Sequence, residues 1–286
     1  MPKPAYTLCK PVAQTTSVIF ASPHSGRDYP WDFLSRSVLD ERVIRSSEDA
    51  FVDLLFEDAP NYGAPLLAAT APRAFIDLNR SAEELDPALI EGVRKSSHNP
   101  RVTSGLGVIP RVVSNGRPIY SGKLTLEEAR GRLRDHWHPY HSRLQSLLDE
   151  TRASFGEAIL IDCHSMPHEA IDSVGTGDTP HPEIVLGDRF GAAAGQHIVD
   201  RIEAAFAAAG LRVTRNSPFA GAYTAQHYGR PSKGQHVIQV EIDRALYMNE
   251  RLIRPSGNFP AFQELIRGVM AEISEIGRHD VPVAAE

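Results

Sequence analysis

The chain has 286 residues, 42% hydrophobic and 23% charged, proportions of a folded globular protein with a sizeable core. Its formal net charge of −6, without a block of like charge, gives no reason to expect nucleic acid or an anionic membrane as a partner. Cys9 and Cys163 make no disulfide framework, the N-terminus lacks a signal peptide's apolar region, and no apolar stretch approaches the roughly 20 residues that span a bilayer, so a reducing cytoplasm is the default compartment.

In chain order, apolar runs and helical periodicities alternate. Residues 17–21 form an apolar run that feeds directly into Pro23-His24-Ser25-Gly26; 65–69 and 74–78 are two more, and each reads as a buried strand. The segment 81–123, rich in Gly, Pro and Ser, reads as an irregular excursion with a hairpin signal at Asn115-Gly116. Thr125, with Glu128 three residues on, has the capping-box pattern for a helix over 126–150. The clearest strand, 158–162, ends at Cys163-His164. Strands over 183–186 and 211–214 flank an Ala-rich helix over 191–209 that stops at Gly210. A strand over 237–242 and a helix over 261–276 complete the set, and the tail after about residue 279 reads as frayed. No repeat or linker divides the chain, so one domain over 1–286 is expected. The alternation predicts α/β with a largely parallel or mixed sheet.

In open α/β sheets ligands bind beyond the carboxyl ends of the strands. That rule directs attention to His24, to Asn79-Arg80, to Asp162 with His164, and to Glu241 with Asp243. Two imidazoles at strand ends can converge on one zinc ion, whose catalytic sites keep a position for water. A third ligand is then needed, and the acidic pair Glu48-Asp49, with Asp53 behind it, offers one. Asp162 lies two residues before His164 on the same side of a strand, placed to accept the free ring N–H of a metal-bound imidazole. The competing reading is structural: strand-end histidines are often just hydrogen-bonded, and acidic pairs are commonly solvated helix starts.

Ile238, Val240 and Ile242 alternate on one face of the last strand, so Glu241 faces the other way. A carboxylate there is costly unless it is paired or functional. Beside a metal-activated water it serves as general base and then as acid to a leaving amine; otherwise it pairs with Arg244 or another cation. Arg80 is suited to hold a substrate carboxylate by two parallel hydrogen bonds, or else pairs with Asp86 at the surface. The segment 219–224, with Tyr223, reads either as a binding loop or as a connection, and Trp137-His138-Pro139-Tyr140-His141 either as pocket lining or as packing.

Taken in order, the motifs Ser22-Pro23-His24-Ser25-Gly26, Glu48-Asp49-Ala50-Phe51-Val52-Asp53, Asp77-Leu78-Asn79-Arg80, Tyr120-Ser121-Gly122-Lys123-Leu124, His138-Pro139-Tyr140-His141, Asp162-Cys163-His164-Ser165-Met166-Pro167 and Glu241-Ile242-Asp243-Arg244-Ala245-Leu246-Tyr247-Met248 form a set. The set resembles the N-formylglutamate amidohydrolase family over nearly the whole chain. The resemblance implies a three-layer α/β/α sandwich around a mixed sheet, similar to the zinc carboxypeptidases. It implies zinc, or another divalent transition metal, bound by His24, His164 and an acidic residue of the Glu48-Asp49 segment, with Asp49 favoured and Glu48 in reserve. It also implies Glu241 as the catalytic carboxylate and Asn79-Arg80 as a clamp on a substrate carboxylate. The implied reaction is hydrolysis of N-formyl-L-glutamate to formate and L-glutamate, the closing step of one histidine-degradation route. Such an acidic substrate needs fixed cations; Arg80, Arg111, Lys123 and Arg230 are candidates, with Tyr223 beside them. Two alternatives stay open: a metal-dependent hydrolase of another N-acyl amino acid or small peptide, and a non-catalytic small-molecule binding protein of the same fold. The sequence sets no oligomeric state, and a monomer suffices.

Overall fold

The computed structural model describes residues 4–94, 99–171 and 181–278. Seven strands share one sheet: β1 (Tyr6–Cys9), β2 (Val18–Ser22), β3 (Leu66–Ala69), β4 (Ala158–Met166), β5 (Ile184–Gly187), β6 (Val213–Arg215) and β7 (Gln235–Asp243). Their spatial order is β1-β3-β2-β4-β7-β5-β6. The central strands β3, β2, β4 and β7 run parallel, β1 pairs antiparallel with β3, β5 pairs antiparallel with β7, and β6 runs parallel with β5. The helices are α1 (Trp31–Arg36), α2 (Val52–Leu55), α3 (Pro100–Thr103), α4 (Leu126–Arg132), α5 (His138–Phe155), α6 (Gln196–Ala208), α7 (Tyr223–Tyr228) and α8 (Phe259–Ile276), and a π-helical turn over Leu133–Trp137 joins α4 to α5.

The period of two along each central strand divides the helices between two layers. Val18 and Phe20 of β2, Ile159, Ile161 and Cys163 of β4, and Ile238, Val240 and Ile242 of β7 pack with α2, α6 and α8. Ile19, Ala21, Ala158, Leu160 and Val237 point the other way and pack with α4, α5 and α7. All residues of β2, β4 and β7 are buried, as strands covered on both faces must be. Each fully buried Val, Leu or Ile contributes about 1.5–3 kcal/mol over exposure. The result is the mixed, mostly parallel α/β/α sandwich. Among the described residues no helix is long and apolar enough to cross a membrane.

Local signals hold where chemistry is local. Thr125 and Glu128 form the full capping box at α4. At the end of α6, Gly210 N–H donates to Ala207 O at 2.9 Å and Leu211 N–H to Phe206 O at 3.2 Å, the paired closure of a left-handed C-terminus. Around the hairpin signal, Val112 and Pro118 form an antiparallel bridge. The expected frayed tail lies outside the described residues.

One expected strand fails, and one strand was not expected. The run 74–78 is a turn: Phe75 and Ile76 N–H both donate to Pro72 O, and Asp77 N–H to Val108 O. Its apolar residues are buried by packing on the helices, which satisfies the hydrophobic pattern without a sheet. At the edge, β1 alternates half-buried and exposed residues and carried too few apolar residues to stand out. The strand read over 158–162 continues to Met166, which puts His164 inside β4 and not after it.

Candidate active site and metal centre

The site grows from the carboxyl ends of β2, β4 and β7. On β4 and β7, the face that begins with Leu160 and Val237 turns polar further along. The parallel register sets Asp162 beside Gln239 and His164 beside Glu241. β2 leads into the turn that carries His24. A Cβ at Gly26 would stand 2.1 Å from the Ala71 carbonyl oxygen, so only glycine allows the turn to lie against that backbone. Asp49 N–H donates to His24 O at 3.1 Å, and Phe51 then takes the left-handed φ of 67° that reverses the chain into α2.

His24, Asp49 and His164 are all buried, and one ligand atom from each lies within 4.8 Å of the others. Asp49 Oδ2 stands 2.9 Å from His164 Nδ1 and 3.3 Å from His24 Nδ1. The far nitrogens face carboxylates. His24 Nε2 is 2.8 Å from Asp77 Oδ1, and Arg73 Nε donates to Asp77 Oδ2 at 3.0 Å. His164 Nε2 is 3.0 Å from Asp162 Oδ2, as an ion pair and not an aligned hydrogen bond. At His24 the carboxylate on Nε2 favours the tautomer whose Nδ1 carries a free lone pair; His164 Nε2 also faces the Asn79 amide nitrogen at 3.2 Å. His24 Nδ1 is buried without a hydrogen-bond partner. An orphaned buried acceptor costs about 1–3 kcal/mol, and a cation between the three groups would satisfy it. Two imidazoles and a carboxylate are a donor set that divalent transition metals take. The residues present therefore fit a metal ion.

Electrostatics separates the carboxylates. Burial works against charge on Asp49, but the His164 and His24 rings beside it hold its carboxyl well below the usual range. Arg244 Nη2 donates to Asp49 Oδ1 at 3.0 Å and its Nε to Ser165 Oγ at 3.1 Å, so Arg244 serves Asp49 and not Glu241. Glu241 accepts from Gln239 Nε2 at 2.8 Å, and burial pushes its carboxyl up to about 7. Gln239 Oε1 takes Ala222 N–H at 3.0 Å, which fixes the amide so that its NH2 faces Glu241. Asn79 Oδ1 takes Thr224 N–H at 2.8 Å, and Asn79 Nδ2 lies 3.3 Å from Gln239 Oε1.

A cavity of ≈ 530 Å³ opens over these groups, lined by His24, His164, Glu241 and the arginines Arg73, Arg80, Arg101 and Arg244. Arg80 is 7% exposed, and its side chain donates to the carbonyls of Leu106 (3.0 Å) and Asn79 (3.3 Å), with no ion pair to a carboxylate among the described residues. The π turn and the first turn of α5 clamp the backbone around it: Trp137 Nε1 donates to Arg80 O and His141 Nε2 to Leu78 O, each at 2.9 Å. The helical aromatic cluster thus packs behind the site and fixes where Arg80 starts. Burial pushes the His141 ring down to about 3, so it stays neutral.

Other expected residues stand elsewhere. Glu48, the reserve ligand, is taken by Arg45 through two 3.0 Å hydrogen bonds and by the Tyr29 hydroxyl. Asp53 pairs with Arg27 at 2.8 Å. Arg111 Nε donates to Asp86 at 2.8 Å and is not part of the cavity wall; Asp86 is therefore not the partner of Arg80. Lys123 is exposed, with Nζ on Pro87 O at 3.1 Å, also away from the cavity. The excursion through 81–123 carries both cations outward. Tyr223 and Arg230 line a neighbouring cavity. Arg73, Gln239 and Arg101 join the site outside the expected residues, and Asp77, a motif residue with no expected role, orients His24. Gln239, two before Glu241 on the same strand face, had the same positional signal; Arg73 had none, since its partner sits in a turn read as a strand.

A sequence model described as N-formylglutamate amidohydrolase matches residues 16–248, a span that holds His24, Asp49, His164 and Glu241. This chain belongs to the N-formylglutamate amidohydrolase family. It is 28% identical over 265 residues to an N-formylglutamate deformylase of Pseudomonas aeruginosa, covering 90% of this chain and 91% of the relative. It is 30% identical over 240 residues to an N-formylglutamate deformylase of Pseudomonas putida, covering 82% of each. The crystal structure of an N-formylglutamate amidohydrolase from Ralstonia eutropha JMP134 superposes with a TM-score of 0.89 at 34% identity, over 96% of this chain and 98% of that one.

Proposed function

We propose that this chain hydrolyses N-formyl-L-glutamate to formate and L-glutamate, with zinc held by His24 Nδ1, Asp49 Oδ2 and His164 Nδ1. The observation that carries the reading is Glu241: a carboxylate beside His164 in the strand register, held near neutral pH by burial, facing a cavity walled by arginines. The names of the Pseudomonas and Ralstonia relatives support the substrate. Both cysteines are free, which suits a reducing cytoplasm.

When bound, a divalent cation supplies Lewis-acid polarisation of the formyl carbonyl and of the attacking water. Glu241 takes a proton from that water as its oxygen bonds to the formyl carbon. A pKa near 7 suits a group that must accept and then release a proton. As the C–N bond breaks, Glu241 passes the proton to the amine nitrogen, and formate and glutamate separate. The Gln239 amide holds the Glu241 carboxylate in its orientation through this exchange. Arg73, with Nε committed to Asp77, turns its remaining N–H groups to the carbonyl oxygen as that atom gains charge. Arg80 binds a carboxylate of the substrate, the counter-charge that a buried guanidinium needs.

Formate release and elemental analysis on one preparation test the reading. The expected result is a stoichiometric divalent metal, loss of turnover on dialysis against a chelator, and recovery with zinc. Metal-free protein that keeps the native rate would overturn the metal role. Equal turnover of neutral N-formyl amino acids would overturn the substrate.

A further inference from the structure

Beyond the metal centre lies a second cavity of ≈ 650 Å³, and Arg80, Arg101, Gly221 and Ala222 line both. Its wall carries four arginines, Arg80, Arg101, Arg189 and Arg230, against one carboxylate, Glu84. Glu84 is already engaged: it accepts Ser81 N–H at 3.1 Å and Asn99 Nδ2 at 3.3 Å. Among the described residues none of these four arginines has an ion-pair partner, whereas Arg73, Arg111 and Arg244 each do. In a chain of net charge −6, four arginines against one carboxylate on a concave wall set up a local positive potential that attracts anions.

The placement of Arg189 is built into the backbone. It takes a left-handed φ of 55°, a conformation that L residues rarely adopt. Its N–H donates to Ala220 O at 2.8 Å, and Asn216 braces the residues on either side, accepting from Asp188 N–H at 3.1 Å and Phe190 N–H at 3.3 Å. Gly221, at φ 106°, lies under the Arg189 stem, whose Cγ is 3.3 Å from the point where a Cβ would sit. Tyr223 and His227 stack 4.9 Å apart on the same wall. Such strain is kept where the surrounding structure has a use for the side chain.

The first cavity, at ≈ 530 Å³, already lies within the size of small-ligand sites, roughly 300–1,000 Å³, and shares Arg80 and Arg101 with the second. With Arg80 taking a carboxylate of the formylated glutamate, Arg189 and Arg230, which line the second cavity and not the first, are surplus to that substrate. We infer that it is a carboxylate-binding compartment for an acidic group carried beyond the glutamate, as in an N-formylglutamyl-glutamate. The inference rests on the function proposed for the metal centre.

Kinetics with N-formylglutamate and with α- and γ-linked N-formylglutamyl-glutamate, on the wild type and on Arg189→Gln, test it. The ratio of kcat/KM for the better dipeptide to that for formylglutamate should fall about tenfold in the variant, the loss of one charge-assisted contact. An unchanged ratio, including equal losses on both substrates as a merely structural role would produce, overturns the inference. Calorimetric titration of glutarate into the same two proteins judges the compartment even if neither substrate is turned over, a result that would sink the proposed function alone. About tenfold weaker binding to Arg189→Gln supports the compartment, and if the dipeptides are poor substrates it assigns the carboxylate to a separate molecule. Equal binding overturns the compartment.

Discussion

On one face of β4 and β7, Ile159, Ile161 and Cys163 lie beside Ile238, Val240 and Ile242 and pack on α6 and α8; on the other, apolar residues give way after Leu160 and Val237 to Asp162, His164, Gln239 and Glu241. Both faces are buried. The apolar face gains stability from that burial, while the polar face must offset the desolvation of each charge with a partner. Asp49 has Arg244 and two imidazoles; Asp77 has Arg73 and His24. Glu241 is the exception: among the described residues it forms no ion pair, and a neutral amide is its hydrogen-bond partner. Equal burial therefore conceals different roles: the paired carboxylates Asp49 and Asp77 are held low, and Glu241, with no ion pair, is pushed up.

Paired substitutions would break or sharpen that contrast. Glu241→Gln should lower kcat by about 10²–10⁴-fold while leaving metal content and fold intact, read as formate release at saturating substrate. A variant near the wild-type rate removes Glu241 from the proton transfer. Ile161→Ala, on the opposite face of the neighbouring strand, should do the reverse. It should cost about 2–5 kcal/mol in a urea titration, with kcat of the folded protein unchanged. If Ile161→Ala impaired kcat as strongly as Glu241→Gln, the two faces would not be separable in function.

Arg80→Gln comes next, with KM for formylglutamate raised about ten- to a hundredfold and a much smaller change in kcat, the cost of one hydrogen-bonded charge in substrate binding. An unaltered KM would exclude Arg80 as the carboxylate clamp. A pH dependence follows from His141, in the layer that covers the polar face. Its ring stays neutral in the fold at a pKa of about 3, against about 6.5 when unfolded. The unfolded chain therefore takes up a proton that the folded chain refuses. Stability from this group is complete above about pH 6.5 and falls by about 1.4 kcal/mol per pH unit as the pH drops toward 3. His141→Gln should flatten the stability profile between about pH 6 and pH 4 by that slope; an identical slope would show that the ring is protonated in the fold.

How much of this was legible in the sequence differs from residue to residue. The strand-end histidines, the Asp162–His164 spacing and the outward turn of Glu241 from Ile238, Val240 and Ile242 were readable, because a two-residue repeat is a property of the local backbone. The 74–78 turn misled, because burial against helices produces the same apolar run as burial in a sheet. Arg111 and Lys123 looked equivalent to Arg80 as cations; Asp86 and Pro87 hold them away from the cavity, and nothing in their neighbouring residues records it.

By itself the sequence determined the α/β alternation, the helix caps, the family, and which face of each strand its polar residues would share. Tertiary structure alone decided the placement of Asp49 between the two imidazoles with Glu48 turned to Arg45, the burial of Arg80 without a counter-charge, and the service of Arg244 to Asp49. The reason is distance along the chain. Asp49 meets Arg244 across 195 positions and His164 across 115, while His24 meets Asp77 across 53. Caps and strand faces follow from backbone geometry within a few residues; pairings between remote segments depend on where the folded chain crosses itself, which no local period encodes.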